Sequence, residues 1–243
     1  MRTVGKTDVG RVRRNNQDSF AVLDLSSGFT AVVLCDGMGG AKAGNIAADA
    51  AVLIICDHIK RGARENMRSQ SIKSLLESAI AAANATIFAR SNSDDELSGM
   101  GTTVVAAIFR DNVAYIAHAG DSRAYVIKNN TQLVQITTDH SIVQHLYELG
   151  QITKEEALTH PKRNVITRAV GAQEWIKADY NEIDYDDDDI FLLCSDGLTN
   201  FVSDDTIVKI VNENDFSLTA EKLVDAANEG GGGDNITVVL ARE

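Results

Sequence analysis

Four aspartates in this sequence stand beside a glycine at the end of a strongly apolar segment. They are Asp36 in VVLCDGMGG, Asp121 in YIAHAGDSR, Asp196 in FLLCSDG and Asp234 in GGGGDNITVV. A buried strand would hold each carboxylate at the rim of a core and not on a mobile tail. If those rims converge, the four carboxylates share a small volume, where like charges cannot all stay ionised without cations. The sequence therefore predicts a cation site built from strand ends.

The ligand type narrows the choice of cation. Carboxylate oxygens select hard ions such as Mg²⁺ or Mn²⁺ over Zn²⁺. Gly37, directly after Asp36, would let a backbone carbonyl join the coordination shell. The alternative is that each Asp-Gly pair is an ordinary turn dipeptide. That interpretation explains any one of the four aspartates equally well, but four of them in one chain favour a metal site.

The segment that follows Asp36 contains more glycine than a turn requires. Four glycines fall within eight residues, at positions 37, 39, 40 and 44. One or two are enough for a turn. The excess indicates that another group approaches this stretch of backbone closely.

Composition limits the kind of partner. The chain has 243 residues and a formal net charge of -12, with 35 acidic and 23 basic residues. This balance argues against nucleic acid or an anionic membrane as the main partner. Three cysteines without a CxxC motif favour neither a disulfide framework nor a thiolate metal site, and a reducing cytoplasm fits best. No N-terminal signal and no membrane-spanning segment is recognisable.

The pattern of apolar residues predicts strands grouped together and helices grouped together. Strands are expected at SFAVLDL, FTAVVLC, TTVVAAIF, NVAYIAHAG, SRAYVI, IFLLCSDG and NITVVLA, with short turns at SSG, RDN and GD. Helical spacing covers residues 43–60, 70–91, 203–213 and 217–229, and short helical pieces are expected in 139–171. We find no repeat and no linker. The prediction is one α+β domain over 1–243 with a largely antiparallel sheet.

Six motifs in order give the chain a recognisable signature. They are RRNNQD (13–18), DGMGG (36–40), GMGTT (99–103), AGDSRAY (119–125), SDGLTN (195–200) and GGDNITVV (232–239). This series resembles the metal-dependent Ser/Thr protein phosphatases of type 2C, especially their bacterial branch, over essentially the whole chain. The resemblance implies a β-sandwich of two antiparallel sheets flanked by helices, in four αββα layers. It also implies a binuclear Mn²⁺ or Mg²⁺ centre at one end, and a flap at about 139–171.

The resemblance also implies roles for individual residues. Asp36 would bridge two metal ions, the carbonyl of Gly37 would complete one site, and Asp196 and Asp234 would complete the other. Asp18 would orient the attacking water without binding metal directly. Arg13 would hold the substrate phosphate, since a guanidinium donates two parallel hydrogen bonds. Asp121, with Asp196, would bind a third ion.

Two departures from the family pattern concern the proton for the leaving group. Met38 stands where eukaryotic relatives carry a histidine, and Ala41 stands where most bacterial relatives carry one. Neither side chain can donate that proton, so water at the metal centre is the substitute candidate. Neither change removes an expected metal ligand.

Other polar residues have simpler interpretations. His118 is expected to be a strand histidine, and His140 and His160 to serve helix starts or turns and not to bind metal. The acidic stretch 184–189 has no EF-hand spacing and is expected to be a solvated turn. Lys162 and Arg163 in the flap segment could steer a phosphopeptide or form an ordinary basic turn.

The resemblance favours an active phosphatase that hydrolyses phosphoserine and phosphothreonine in proteins by direct attack of water. A bacterial Ser/Thr kinase would be the opposing partner, and the location would be cytoplasmic. One alternative is a phosphoprotein-binding module that has lost its chemistry, which a missing acidic ligand would reveal. The other is a partner-switching phosphatase that acts on a regulator of transcription. Such proteins usually lack the flap and carry sensor domains.

Overall fold

A computed structural model of the chain describes residues 1–25, 28–129 and 131–243. The side chains of Ala41 and Lys42 also lie outside the described part, and so does the expectation at Ala41. The turn predicted at SSG falls mostly on the undescribed positions 26 and 27.

Two antiparallel sheets form the centre of the fold. The first has the strand order β1 (Arg2–Asp8), β11 (Ile236–Arg242), β10 (Ile190–Cys194), β7 (Arg123–Lys128), β8 (Gln132–Gln135). The second has the order β2 (Asp18–Leu25), β3 (Phe29–Met38), β5 (Val104–Arg110), β6 (Val113–Ala119), β9 (Asp179–Asp184), and the short β4 (Gly101–Thr102) pairs with β3.

The two sheets pack face to face, and helices cover both outer faces. Side chains on alternate positions of a strand point to opposite faces, and both faces are apolar here. On β3, Val32 and Leu34 join Phe191 and Val239 of the other sheet in the central layer. Neighbouring Val33 instead packs against the helix layer of α1 and α2. The predicted α+β sandwich with four layers is therefore confirmed.

The helices lie where the apolar periodicity predicted them. The second sheet is covered by α1 (Gly40–Gly62) and α2 (Ser69–Ser93), which lead into a short 3-10 helix (Asp95–Leu97). The first sheet is covered by α5 (Asp196–Thr199), α6 (Asp204–Glu213) and α7 (Phe216–Glu229). The apolar spacing of α2 predicts a buried stripe of Leu75, Leu76, Ala79, Ile80, Ala83, Ile87 and Phe88. All of these are buried except Phe88, which is partly exposed, and Ile72 extends the buried stripe toward the start of the helix.

The flap segment contains two short helices between two extended ends. These are α3 (Ile142–Glu148) and α4 (Lys154–Thr159), and α4 begins with a capping box from Thr153 and Glu156. The ends of the segment meet, because Thr167 N donates to the carbonyl of His140 over 2.7 Å. No helix in the described ranges is long and apolar enough to cross a membrane.

Three details differ from the sequence-based prediction. The GD turn does not close a hairpin, because β6 and β7 belong to different sheets and the chain crosses between them at Gly120. Strands β1, β8 and β9 were not predicted, since their half-exposed, polar sequences carry little apolar signal. The acidic turn is exposed at 186–188, but Asp189 is buried, and its Oδ2 accepts a hydrogen bond from Asp186 N over 3.1 Å.

Candidate active site

A cavity of about 480 Å³ opens where several strands end. All four aspartates singled out from the sequence line it, although they come from separate strand ends. The remaining wall includes further residues expected to act in the site and parts of the flap. These are Arg13, Arg14, Asn15, Gln17, Gly37, Met38, Gly39, Gly40, Thr103, Asn164, Ile166 and Asn235.

Asp36 is held from three directions by the GMGTT segment. Its N–H donates to Oγ1 of Thr103 over 2.9 Å, and its carbonyl accepts from Thr102 Oγ1 at 2.9 Å and from Thr103 N at 2.8 Å. The hydroxyls of Thr103 and Ser122 are 2.7 Å apart. The backbone of Asp36 is thereby joined to the loop of Asp121, and sequence analysis gave Thr103 no role.

The glycines after Asp36 allow two backbone segments to touch. A Cβ at Gly37 would overlap the carbonyl of Gly44 at the start of α1 and would lie 2.7 Å from the carbonyl of Gln17. Gly39 has a φ of 114°, and a Cβ there would lie 2.9 Å from Cα of Met100. The close approach inferred from the sequence is therefore made by the protein's own backbone, which packs the end of β3 against α1 and leaves the cavity open.

Asp18 lies beneath the cavity and does not line it. It is directly opposite Asp36 in the β2–β3 ladder. Its Oδ2 accepts hydrogen bonds from Ser195 Oγ at 2.8 Å and from Thr237 Oγ1 at 2.7 Å. Its Oδ1 is buried and has no partner among the described residues. A buried carboxylate oxygen without a donor is costly, so this atom has an unfilled capacity to accept a hydrogen bond.

The carboxylates are electrostatically frustrated in the absence of cations. Burial raises the pKa of Asp18 to about 7, and the charges of Asp196 and Asp234 act in the same direction. Burial and the charge of Asp196 raise the pKa of Asp121 to about 7. Burial and the charge of Asp234 raise the pKa of Asp196 to about 6. For Asp36, burial and then the charge of Asp18 move the pKa well above its usual range.

The donor set fits hard divalent cations. Neither histidine nor cysteine is among the described residues that line the cavity, and the available ligands are carboxylate and backbone oxygens. Mg²⁺ and Mn²⁺ prefer such ligands. Cations would also relieve the repulsion that raises the carboxylate pKa values.

Arg13 reaches the cavity from the loop between β1 and β2. Its Nη2 lies 2.7 Å from Oδ2 of Asp234, and its side chain is 52% exposed. Asn235 anchors this loop: its Nδ2 donates to the carbonyls of Val9 (2.9 Å) and Asn15 (3.0 Å), and its Oδ1 accepts from Gln17 N (2.8 Å). The sequence signal for Asn235 is its place directly after Asp234 in GGDN.

The remaining polar candidates divide into those near the cavity and those away from it. Met38 lines the cavity, and so do Asn164 and Ile166 of the flap. Lys162 and Arg163 are exposed and are not among the lining residues. Cys35 on β3 and Cys194 on β10 are buried, and burial raises the pKa of both thiols, which makes them small strand hydrophobes and not reactive thiolates.

Comparisons with known proteins agree with the geometry. The sequence model of the family described as Protein phosphatase 2C matches residues 10–231. A Listeria welshimeri protein named serine/threonine phosphatase stp is 39% identical over 236 residues, which cover 97% of this chain and 93% of the relative. The structure of the S. agalactiae serine/threonine phosphatase superposes with a TM-score of 0.92 at 33% identity and covers 98% of each chain.

A third comparison concerns metal content. The crystal structure of the catalytic domain of the serine threonine protein phosphatase PstP is described as a complex with two manganese ions. It superposes with a TM-score of 0.85 at 34% identity and covers 99% of this chain and 97% of that one.

Proposed function

Because the chain belongs to the protein phosphatase 2C family and is a metal-dependent protein serine/threonine phosphatase, we propose how its own residues divide the work. Asp36 would be a ligand shared by two Mn²⁺ or Mg²⁺ ions, the Gly37 carbonyl would complete one site, and Asp196 and Asp234 would complete the other; all four residues line the cavity. Asp121, with Asp196, would hold a third ion. The observation that carries this assignment is that four carboxylates from separate strand ends line one cavity and repel one another there.

The bound ions supply what the side chains lack. When bound, they lower the pKa of a water molecule and neutralise charge on the phosphoryl group. Asp18 then orients the attacking water, because its partnerless Oδ1 can accept a hydrogen bond from it. Ser195 and Thr237 keep Asp18 in place through Oδ2.

Arg13 holds the substrate phosphate. One N–H of its guanidinium is used by Asp234, which leaves others in the same planar fork for two phosphate oxygens. Its side chain lines the cavity and is half-exposed, which supports contact with an incoming phosphoserine or phosphothreonine. In a chain with a net charge of -12, such a cation also favours an anionic substrate.

The biological setting follows from the activity. We propose that the chain is one catalytic domain over 1–243, that residues 139–171 form its flap, and that Asn164 and Ile166 bring the flap to the substrate. A Ser/Thr kinase that phosphorylates the same proteins would be its counterpart, and the cytoplasm would be its location.

The assignment is tested at Asp36. We expect Asp36→Asn to remove high-affinity Mn²⁺ binding in calorimetry and phosphopeptide hydrolysis together, because one lost charge weakens two sites. Asp24→Asn on the same sheet, outside the cavity lining, is the matched control and should behave as the wild type. Full turnover of p-nitrophenyl phosphate by Asp36→Asn, or by the wild type in excess EDTA, would overturn the two-ion assignment.

A further inference from the structure

A polar cluster outside the cavity joins both ends of the flap to the loop that carries Asp121. It consists of His118 on β6, His140 and Arg168 at the two ends of the flap segment, and Asp179 on β9. His118 is 1% exposed and His140 is 8% exposed. The proposed chemistry uses none of these residues.

His140 binds both polar backbone groups of Gly120. Its N–H donates to the Gly120 carbonyl over 2.9 Å, and its ring Nδ1 accepts from Gly120 N over 3.0 Å. Gly120 has a φ of 114°, and a Cβ there would lie 2.6 Å from Cβ of Thr103. The peptide just before Asp121 is therefore enclosed between Thr103 and His140.

The bond to Gly120 fixes which ring nitrogen of His140 carries a proton. Nδ1 accepts a hydrogen bond, so the neutral ring has its proton on Nε2, which donates to Asp179 Oδ2 at 3.1 Å. Burial lowers the pKa of the His140 ring and favours this neutral form. Arg168 Nη1 donates to Asp179 Oδ1 at 2.7 Å and thereby holds the carboxylate that orients the ring.

The cluster has the residue types of a metal site but the geometry of a hydrogen-bond network. The rings of His118 and His140 are stacked, with centroids 4.7 Å apart and planes inclined by 5°. Their in-plane lone pairs therefore cannot converge on one ion. His118 Nε2 donates to the Thr138 carbonyl at 2.8 Å, and the Arg168 guanidinium lies 2.9 Å from His140 Nε2, where it would repel a cation.

Asp139 and His140, at the start of the flap, form hydrogen bonds with the residues on both sides of Asp121. His140 holds Gly120, and Asp139 accepts hydrogen bonds from Arg123, from Nε at 2.8 and 3.1 Å and from Nη2 at 2.7 Å. The other end of the flap joins at the same place, because Thr167 N donates to the His140 carbonyl. Asp121 thus lies on a short crossing between the sheets that the base of the flap holds from two sides.

We propose that His140 is a positioning residue for Asp121. By fixing the Gly120 peptide through Nδ1 it sets the direction of the Asp121 carboxylate, and so the base of the flap supplies this hold. This inference rests on the proposed function of Asp121 as a ligand of the third ion, whereas the hold on Gly120 is a property of the chain alone.

Two substitutions separate the two ring nitrogens. In His140→Asn the amide oxygen takes the place of Nδ1 and can still accept from Gly120 N–H, but the link to Asp179 is lost. In His140→Gln the amide nitrogen takes the place of Nε2 and can still donate to Asp179, but Gly120 loses its acceptor. The main-chain contacts remain in both variants, so each serves as the control for the other.

Hydrogen exchange at the Gly120 amide, followed by NMR without added metal, tests the positioning itself. We expect exchange at least about tenfold faster in His140→Gln and within about twofold of the wild type in His140→Asn, as the loss of one hydrogen bond implies. Equal exchange in all three proteins would overturn the positioning role, whatever the ions do.

Kinetics and calorimetry with Mn²⁺ test the consequence for the site. We expect His140→Gln to lower kcat on a phosphopeptide by about tenfold with KM unchanged, and to weaken the third ion while two ions stay bound. His140→Asn should keep most of the turnover. Equal losses in the two variants would overturn the link from Nδ1 to Asp121. If Asp121→Ala retains wild-type turnover, the proposed role of Asp121 fails, and so does the link to turnover, while Gly120 exchange still decides whether His140 positions the loop.

Discussion

Arg13 Nη2 donates a hydrogen bond to Asp234 Oδ2 over 2.7 Å, although 221 positions separate the two residues in the sequence. One side chain is the proposed phosphate ligand and the other a proposed metal ligand. The bond and the charge of Asp234 raise the pKa of Arg13, and the charges of Asp36 and Asp196 act in the same direction. Asp234 thus orients Arg13 toward the cavity, and the phosphate that Arg13 would bind lies beside Asp234.

Arg13→Ala is expected to raise KM for a phosphopeptide by about tenfold, with a smaller change in kcat, because binding is lost in the ground state and the transition state alike. Calorimetry should still detect the two core ions. Arg14→Ala is the matched control, since Arg14 lines the same cavity one residue away. An unchanged KM in Arg13→Ala, together with a raised KM in Arg14→Ala, would show that Arg14 and not Arg13 binds the phosphate.

Asn235→Asp is expected to loosen the loop that carries Arg13. The substitution keeps the acceptor for Gln17 N but removes the donors to Val9 and Asn15, and it adds a charge beside Asp234. Unfolding should become easier by about 1–3 kcal/mol, the usual cost of an unsatisfied buried group. Hydrogen exchange should accelerate in residues 9–17. Asn214→Asp, at the end of α6, is the control and should leave that loop unchanged.

The raised carboxylate pKa values predict an unusual pH dependence for the metal-free protein. The pKa values of Asp18 and Asp121 are about 7 and that of Asp196 is about 6, all above the unfolded value of 3.8. Between the unfolded and the folded pKa values, the folded state binds more protons than the unfolded state. The free energy of unfolding therefore falls as pH rises from about 5 to 7.5. Thermal melting in EDTA should show this fall.

Added Mn²⁺ should stabilise the protein increasingly over the same pH range, because the ligands must lose their protons to bind it. Melting temperatures with and without Mn²⁺, measured at each pH, give the difference directly. A metal-free melting temperature that rises steadily from pH 5 to 7.5 would contradict the buried, repelling carboxylates.

Asp121→Ala is expected to keep two bound ions by calorimetry and to lose most turnover on phosphopeptides. Their alkoxide leaving groups require a proton, whereas p-nitrophenolate leaves without one. The loss on p-nitrophenyl phosphate should therefore be smaller. If both substrates slow equally, the leaving-group role is wrong, and Asp121 serves only the turn between the sheets.

The sequence predicts the position of a site residue correctly where the apolar pattern of one strand is enough to place it. Asp36 and Asp196 end apolar runs that are buried on both faces, so their placement at a rim followed from the run itself. The half-exposed β1 carried no such signal, because its place is set by pairing with β11 along seven residues. A short turn was predicted at GD, but not that the chain crosses there from one sheet to the other, since nothing local distinguishes a turn within a sheet from one between sheets.

Asn235 and His140 show a second limit of the sequence. Their hydrogen-bond partners are mostly backbone groups, at Val9, Asn15 and Gln17 for Asn235 and at Gly120 for His140. Every residue carries a backbone carbonyl and almost every residue a backbone N–H. The residue types in a sequence therefore do not show which backbone group a side chain will bind. Thr103 was missed for the same reason, as it binds the backbone of Asp36.

The pairing of β1 with β11 also bears on biosynthesis. Among the described strands β1 pairs with β11, and β11 follows all the others, so β1 is synthesised well before the strand that pairs with it. Asp234 immediately precedes β11, and Arg13 lies a few residues after β1. On the proposed assignment, a nascent chain that already contains Asp36, Asp121 and Asp196 would still lack Asp234, so its centre would be complete only once the last described strand has been made.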